Sequence, residues 1–147
     1  MNRDENGSAV VELVWLGILL LVPILWIVLS VFEVQKGAFA ASAAARSAGR
    51  AYALAPTDAE GERRARAVAR QALADQGLGA APLQVTVTCT PYPADCHRGT
   101  SVITVRIATR VDLPLMPDVL GGDQPNFALD ASHTVPIGQY QVGDAAP

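Results

Sequence analysis

Two cysteines and two histidines are the side chains best suited to chemistry. Cys89 and Cys96 are separated by Thr-Pro-Tyr-Pro-Ala-Asp. A close cysteine pair on a proline-containing loop is typical of a small disulfide ring in an oxidising compartment, and two unpaired thiols are the alternative. His97 follows directly, but a zinc site needs more ligands at metal spacing than these three residues supply. We predict a Cys89–Cys96 disulfide and no metal site.

Neither histidine belongs to a catalytic pattern. His97 lies beside the cysteine loop and His133 in a predicted strand, and the sequence around them offers no nucleophile–base pair. The Gly121-Gly122 pair is a turn signal and not a phosphate-binding loop. The net charge of −3 is too small to indicate a nucleic-acid partner. We predict a protein that is not an enzyme and has no cofactor and no nucleic-acid partner.

A glycine and a glutamate precede the most apolar part of the chain. Gly7-Ser-Ala-Val-Val-Glu12 ends where a charge-free run begins. A carboxylate at the edge of the hydrocarbon is costly unless it is paired, and Glu12 lies one helical turn beyond Ser8. A nearby positive charge would neutralise it. The alternative is that Glu12 only marks the last residue before the membrane.

The charge-free run, residues 13–32, predicts one transmembrane helix. About twenty helical residues rise ~30 Å, which is the thickness of a hydrocarbon core. Trp15 and Trp26 both lie inside this run. Pro23 lies near its middle, and membrane helices tolerate such a proline because neighbouring helices satisfy the freed carbonyl.

The alanine-rich residues 33–55 predict a continuation of this helix as a stalk, because alanine is the best helix former. Two interpretations of its small residues stay open. They let a helix of another subunit approach closely, or the helix packs on its own domain. The predicted organisation is a leader at residues 1–7, the transmembrane helix and stalk at 8–55, and an extracytoplasmic domain at 56–147.

The segment after the stalk predicts a second helix. Thr57-Asp-Ala-Glu60 has the spacing of a capping box, and Gly77 and Gly79 mark the end. The arginines of this helix fall largely outside its apolar face, with Glu62 and Arg66 spaced for an ion pair.

Alternating apolar and polar residues then predict strands at 83–89 and 101–111. The cysteine loop lies between them, so we expect an antiparallel hairpin with the ring at its tip. Residues 131–137 predict a third strand, and Pro136 favours an edge position. The predicted fold class is α+β: a long amino-terminal helix, then one capped helix on an antiparallel sheet of about three strands.

The predicted topology places the N-terminus in the cytoplasm and the C-terminal domain outside it. Basic residues beyond the apolar run outnumber those before it, which by the positive-inside rule favours the opposite orientation. Pairing of the cysteines needs an oxidising compartment, however, and the short leader is a poor candidate for the only external part. The cysteine pair therefore decides the predicted orientation.

These features together resemble the TadE-like minor pseudopilins of the Tad (tight adherence, Flp pilus) system. The resemblance covers roughly residues 7–52. It consists of the Gly7-to-Glu12 motif, Pro23 in the apolar run, Glu33 just beyond it, and the block Ala43-Ala-Ala-Arg46-Ser-Ala-Gly-Arg50-Ala. In type IV prepilin-like proteins, a membrane aspartic peptidase cuts after the glycine on the cytoplasmic side.

The resemblance implies a structural role and a set of partners. A prepilin peptidase would cut between Gly7 and Ser8, so that Glu12 becomes the fifth residue of the mature chain. The subunit would stay in the inner (cytoplasmic) membrane and join other pseudopilins and pilin subunits in an initiating or tip complex. That complex would belong to a pilus or a related secretion machine, with Glu12 setting the register of helix packing. Leu13 stands where pilins of this system often carry an aromatic residue, which argues against the major pilin.

Two other functions are kept as alternatives. An uncleaved, signal-anchored envelope protein that binds an extracytoplasmic partner would retain Met1. A secreted protein would be cut after Ala38-Phe-Ala40, which resembles a signal-peptidase site, although the apolar run is too long for a signal peptide. The mature N-terminus separates the three functions.

Overall fold

The computed structural model describes residues 6–114 and 125–139. Two helices and three strands follow one another along the chain: α1 (Asn6–Ala53), α2 (Asp58–Ala74), β1 (Leu83–Thr90), β2 (Val102–Asp112) and β3 (Asn126–Pro136). The predicted α+β class is confirmed, with a long apolar helix, a second helix and a three-stranded antiparallel sheet. Most of the predicted leader, the Gly121-Gly122 turn signal and residues 140–147 lie outside the described residues.

Helix α1 is a single unbroken helix of 48 residues, about 72 Å long. Pro23 lies inside it without ending it. By length and composition, α1 is the one helix in the described residues that could cross a membrane. Its two halves differ, because the side chains of residues 9–25 are exposed whereas one face of the second half is buried.

The buried face of α1 packs on the sheet and forms the centre of the core. It consists of small residues and one tyrosine: Ala40, Ala41, Ala44, Ala45, Ala48 and Tyr52. Glycine gives the closest approaches, since a Cβ on Gly37 would overlap the side chains of Val111 and Leu129. Of the two interpretations of the alanine-rich stretch, the structure therefore has the helix packing on its own domain.

Helix α2 begins and ends as its sequence predicts. The Thr57 hydroxyl accepts a hydrogen bond from the Glu60 backbone N–H at 3.3 Å, which caps the first turn. At the other end Gly77 has a φ of +78°, and the Leu78 backbone N–H donates to the Leu73 carbonyl at 2.9 Å. This is a Schellman motif, in which glycine supplies the left-handed residue.

The ion pairs of α2 differ from the prediction. Glu60 pairs with both Arg63 and Arg64, and these hydrogen bonds lower the pKa of the Glu60 carboxyl. The described residues contain no ion pair between Glu62 and Arg66. Glu60 has arginines three and four residues ahead of it, so one carboxylate on the exposed surface reaches both.

The sheet has the order β1-β2-β3, and both neighbouring pairs are antiparallel. The edge position predicted for the third strand is confirmed, but β3 begins at Asn126 and not at Ala131. The inner face of β2 is buried under α1, whereas the outer face carries polar residues such as Thr104 and Arg106. α1 covers β2 and β3, and α2 lies along α1 next to β1. The sheet is thus covered by two helices, not by the single capped helix of the prediction.

Candidate functional site

The residues assigned to cleavage and assembly lie at the amino-terminal end of α1. The helix begins at Asn6, so Gly7 and Ser8 belong to its first turn. Glu12 follows one turn later with its side chain exposed. The first turn of α1 contains no acidic residue, so Glu12 lies beyond the part of the helix where its N-terminus favours negative charge. Cleavage between Gly7 and Ser8, and a role of Glu12 in assembly, stay predictions.

The first half of α1 presents an apolar surface on all sides. The five consecutive residues 18–22 are each 51–71% exposed, and five residues cover more than one full helical turn. An amphipathic helix of a soluble domain buries one stripe and exposes polar residues opposite. An apolar surface without a polar face fits an environment that is apolar all round, either lipid or a bundle of helices.

Contact between α1 and the folded domain begins at Trp26. Its indole N–H donates a 2.7 Å hydrogen bond to the backbone carbonyl of Pro114, just beyond the end of β2. One turn later the Ser30 hydroxyl donates to the Trp26 carbonyl at 2.9 Å. Glu33 and Lys36 then form an ion pair at 3.8 Å. The last part of the predicted transmembrane segment, up to Phe32, therefore already lies beside polar and charged groups.

The alanine–arginine block of the resemblance divides between two environments. Ala44, Ala45 and Ala48 are completely buried against the same chain, whereas Arg46 and Arg50 are exposed. These three buried alanines are therefore not available for close packing with another subunit. In the described residues, the helix surface open to a neighbouring helix is the apolar first half of α1.

The predicted disulfide joins Cys89, at the end of β1, to Cys96 in the β1–β2 connection. Both cysteines are buried, and their Cα atoms lie 5.3 Å apart. The ring is attached to the helices through the first residue of α2. One carboxylate oxygen of Asp58 accepts a hydrogen bond from the Cys96 backbone N–H at 3.2 Å, and the other lies 2.6 Å from Nδ1 of His97.

His97 connects this carboxylate to the end of α1. Its Nε2 lies 3.1 Å from the Tyr52 carbonyl oxygen, and its ring stacks on the Tyr52 ring with centroids 5.4 Å apart. Both ring nitrogens face oxygen acceptors, and the protonated imidazole is the form that donates to both. Burial, followed by the negative charge of Asp58, raises the pKa of the Tyr52 hydroxyl above its ordinary value of 10.0.

This histidine–aspartate pair has a structural geometry. A histidine acts as a general base when an aspartate orients one nitrogen and the other nitrogen faces a reacting group. In this cluster the second nitrogen faces the main-chain carbonyl of Tyr52. The pair therefore fastens the cysteine ring to the junction of α1 and α2.

Sequence reasoning placed His97 correctly in the cysteine loop but missed its partner. Asp58 lies 39 residues away and directly follows the cap residue of α2, where helix-end electrostatics already account for an acidic residue. A histidine next to a cysteine of a predicted ring was the available signal. That signal did not identify which carboxylate would hydrogen-bond to the ring and to His97.

Comparison with known proteins provides no relative from which to transfer a function: no family model, no curated protein and no solved structure matches the chain.

Proposed function

We propose that the chain is a TadE-like minor pseudopilin. In this role it is a structural subunit in the assembly or initiation of a Tad/Flp-type pilus or a related secretion machine. The observation that carries the proposal is the division of α1, a continuous helix whose first half is apolar and exposed all round while its second half is bound to the domain. Such a helix anchors the subunit in the cytoplasmic membrane and then packs against the helices of other subunits.

The disulfide supports the orientation that this function requires. A buried Cys89–Cys96 bridge fits a domain that matures outside the reducing cytoplasm. The amino-terminal end of α1 then faces the cytoplasm, where a prepilin peptidase acts. In this arrangement Glu12 lies next to the new α-amine of Ser8 and pairs with it or with that of a neighbouring subunit.

An uncleaved, signal-anchored envelope protein is the alternative function. An exposed apolar helix and a disulfide are as consistent with it as with a pseudopilin. Secretion after signal-peptidase cleavage fits less well. The cut after Ala40 would fall inside α1, where Ala40 and Ala41 are almost completely buried in the core. Removal of the preceding residues would also take away Gly37 and its contact with the sheet.

The test is the N-terminus of the protein purified from membranes of cells that contain the pilus machine. Intact mass and N-terminal sequencing should give a chain that starts at Ser8. Gly7→Val should leave a full-length, membrane-bound protein that does not join the machine, because glycine lets the backbone enter the peptidase site closely. Ala38→Glu is the matched control, since Ala38 is exposed and lies at the other candidate site. A chain that starts at Met1 contradicts the proposal and supports the signal anchor.

A further inference from the structure

We propose that the membrane surface meets α1 at Trp26, so that the folded domain rests directly on the lipid headgroups without a free stalk. This inference rests on the proposed membrane insertion of α1, and it goes beyond that insertion by fixing its depth. The apolar run alone places the boundary at Phe32. The structure places a surface of the domain against the last part of that run.

The backbone beside Trp26 excludes hydrocarbon at this level. Leu113 and Pro114 are not helical, and the Pro114 carbonyl accepts the indole hydrogen bond of Trp26. The Leu113 N–H and the Pro114 carbonyl are both hydrogen-bonded, but these two residues are only half-buried, and lipid-exposed irregular loops do not occur within the hydrocarbon. The hydrocarbon must therefore end before α1 reaches Trp26.

The strand ends also restrict how far along α1 the hydrocarbon can extend. Val111 and Leu129 touch α1 at Gly37, and both belong to a sheet whose two edges are unpaired among the described residues. An open sheet edge is as unfavourable in hydrocarbon as a loop. The exposed Asp112 at the end of β2 is charged, which places this end of the sheet in water or headgroups.

One face of α1 between Trp26 and Lys36 suits a headgroup layer, whereas Ile27, Val28, Val31 and Phe32 on its other faces are apolar and exposed. A tryptophan with one apolar and one hydrogen-bonded end is the typical residue of a membrane interface. Ser30 and then the Glu33–Lys36 ion pair follow within about 15 Å along the helix axis. Polarity therefore rises on this face from Trp26 onwards, although the sequence carries no charge between Glu12 and Glu33.

The boundary at Trp26 also moves Glu12 relative to the bilayer. Residues 13–25 rise about 20 Å, which is less than a hydrocarbon core of ~30 Å. Glu12 then lies inside the hydrocarbon and not at its edge. A charged carboxylate at that depth is expensive without a partner, so pairing of Glu12 with an amine becomes a requirement of insertion.

The two tryptophans of the chain measure the boundary directly. They lie about 16 Å apart along α1. If residues 13–32 span the bilayer, its midplane lies near Pro23 and Trp26 is the deeper tryptophan. If the boundary is at Trp26, that residue is shallow and Trp15 lies near the midplane. The order of depth therefore reverses between the two arrangements.

The experiment uses full-length Trp15→Phe and Trp26→Phe proteins, each with one tryptophan. They are reconstituted in phosphatidylcholine–phosphatidylglycerol vesicles that carry bromine either near the headgroup or near the chain end. We expect shallow bromines to quench Trp26 more strongly and deep bromines to quench Trp15 more strongly. The decisive protein is Trp15→Phe, because it keeps the Trp26–Pro114 hydrogen bond, and a cooperative thermal unfolding transition like that of the wild type confirms its fold.

Two results would overturn the inference. Stronger quenching of Trp26 by deep bromines returns the boundary to Phe32 and leaves the proposed function intact. Absence of quenching in both proteins shows that α1 is not inserted, which removes membrane anchoring as well. An uncut N-terminus would overturn the pseudopilin assignment alone, since the depth of α1 does not depend on cleavage.

Discussion

Gly37 is the residue at which α1 and the sheet approach most closely. A methyl group at this position would overlap the side chains of Val111 and Leu129. We expect Gly37→Ala to lower the free energy of unfolding by about 1–3 kcal/mol, because an overpacked core must shift or strain its neighbours. Gly138→Ala is the control, since no atom lies within 4 Å of a Cβ there. Equal stability of the two variants in denaturant titrations would show that α1 does not pack this closely.

Glu12 is the residue on which assembly is proposed to depend. Glu12→Gln removes the charge and keeps the size, so we expect recovery of co-purifying pilin-like subunits to fall while protein level and disulfide content hold. Glu33→Gln is the matched control, because Glu33 already pairs with Lys36 in the same chain. If both variants recover partners as the wild type does, Glu12 is only a boundary residue.

At the residue scale, the sequence predicted the close cysteine pair but not the Glu60 ion pairs, and it missed a contact that depends on the fold. Cys89 and Cys96 are near enough in sequence to predict a ring. The contact of His97 with Asp58 requires α2 and the β1–β2 connection to meet, and no local pattern indicates that.

The disulfide closes the β1–β2 connection into a ring, and the hydrogen bonds of Asp58 join that ring to α2. Replacing both cysteines by serine should lower the free energy of unfolding by about 2–3 kcal/mol, on a loop-entropy model for a short ring. The Asp58 bonds to Cys96 and His97 should loosen as well, because the ring holds their donors in place. Thermal unfolding with and without reductant measures the effect, and Thr90→Ser, at an exposed position within the ring, is the control because it leaves the disulfide intact. A melting temperature that does not change with reductant would contradict the predicted contribution of the disulfide to stability.

The same bridge reports on topology. Thiol labelling of intact cells should modify the cysteines only after reductant is added, because the bridge is proposed to form outside the cytoplasm. Thiols that become reactive only on lysis, without reductant, would place the domain inside and contradict the pseudopilin proposal.

Elements whose apolar and polar residues alternate with a clear period could be predicted from the sequence. The alternation of β1 and β2 gave their limits within a residue or two, and the capping and Schellman residues gave those of α2. The first residues of β3 were missed because Asn126 and Asp130 are poor strand formers. The buried face of α1 could not be predicted from the sequence either, since a run of alanines has no apolar and polar sides to distinguish.

The whole molecule folds as a unit only if α1 contributes its second half. A fragment of residues 33–147 should unfold cooperatively, because it keeps Ala40, Ala44, Ala48 and Tyr52 in the core. A fragment of residues 56–147, which starts at the domain boundary predicted from sequence, exposes the inner face of the sheet and should not fold cooperatively. Circular dichroism during heating compares the two. Cooperative unfolding of the shorter fragment would show that α1 is a dispensable stalk.

If the chain is the proposed pseudopilin, which would have to leave the membrane on assembly, the hydrogen bond from Trp26 to Pro114 has a mechanical consequence. With the domain seated on the headgroups, the charge-free part of α1 is about 10 Å shorter than the hydrocarbon it crosses. Such hydrophobic mismatch thins the surrounding bilayer, at a fraction of a kcal/mol for each ångström. In the proposed arrangement the anchored subunit would thus be under elastic load before assembly, and release of that load would lower the work of extracting it from the membrane.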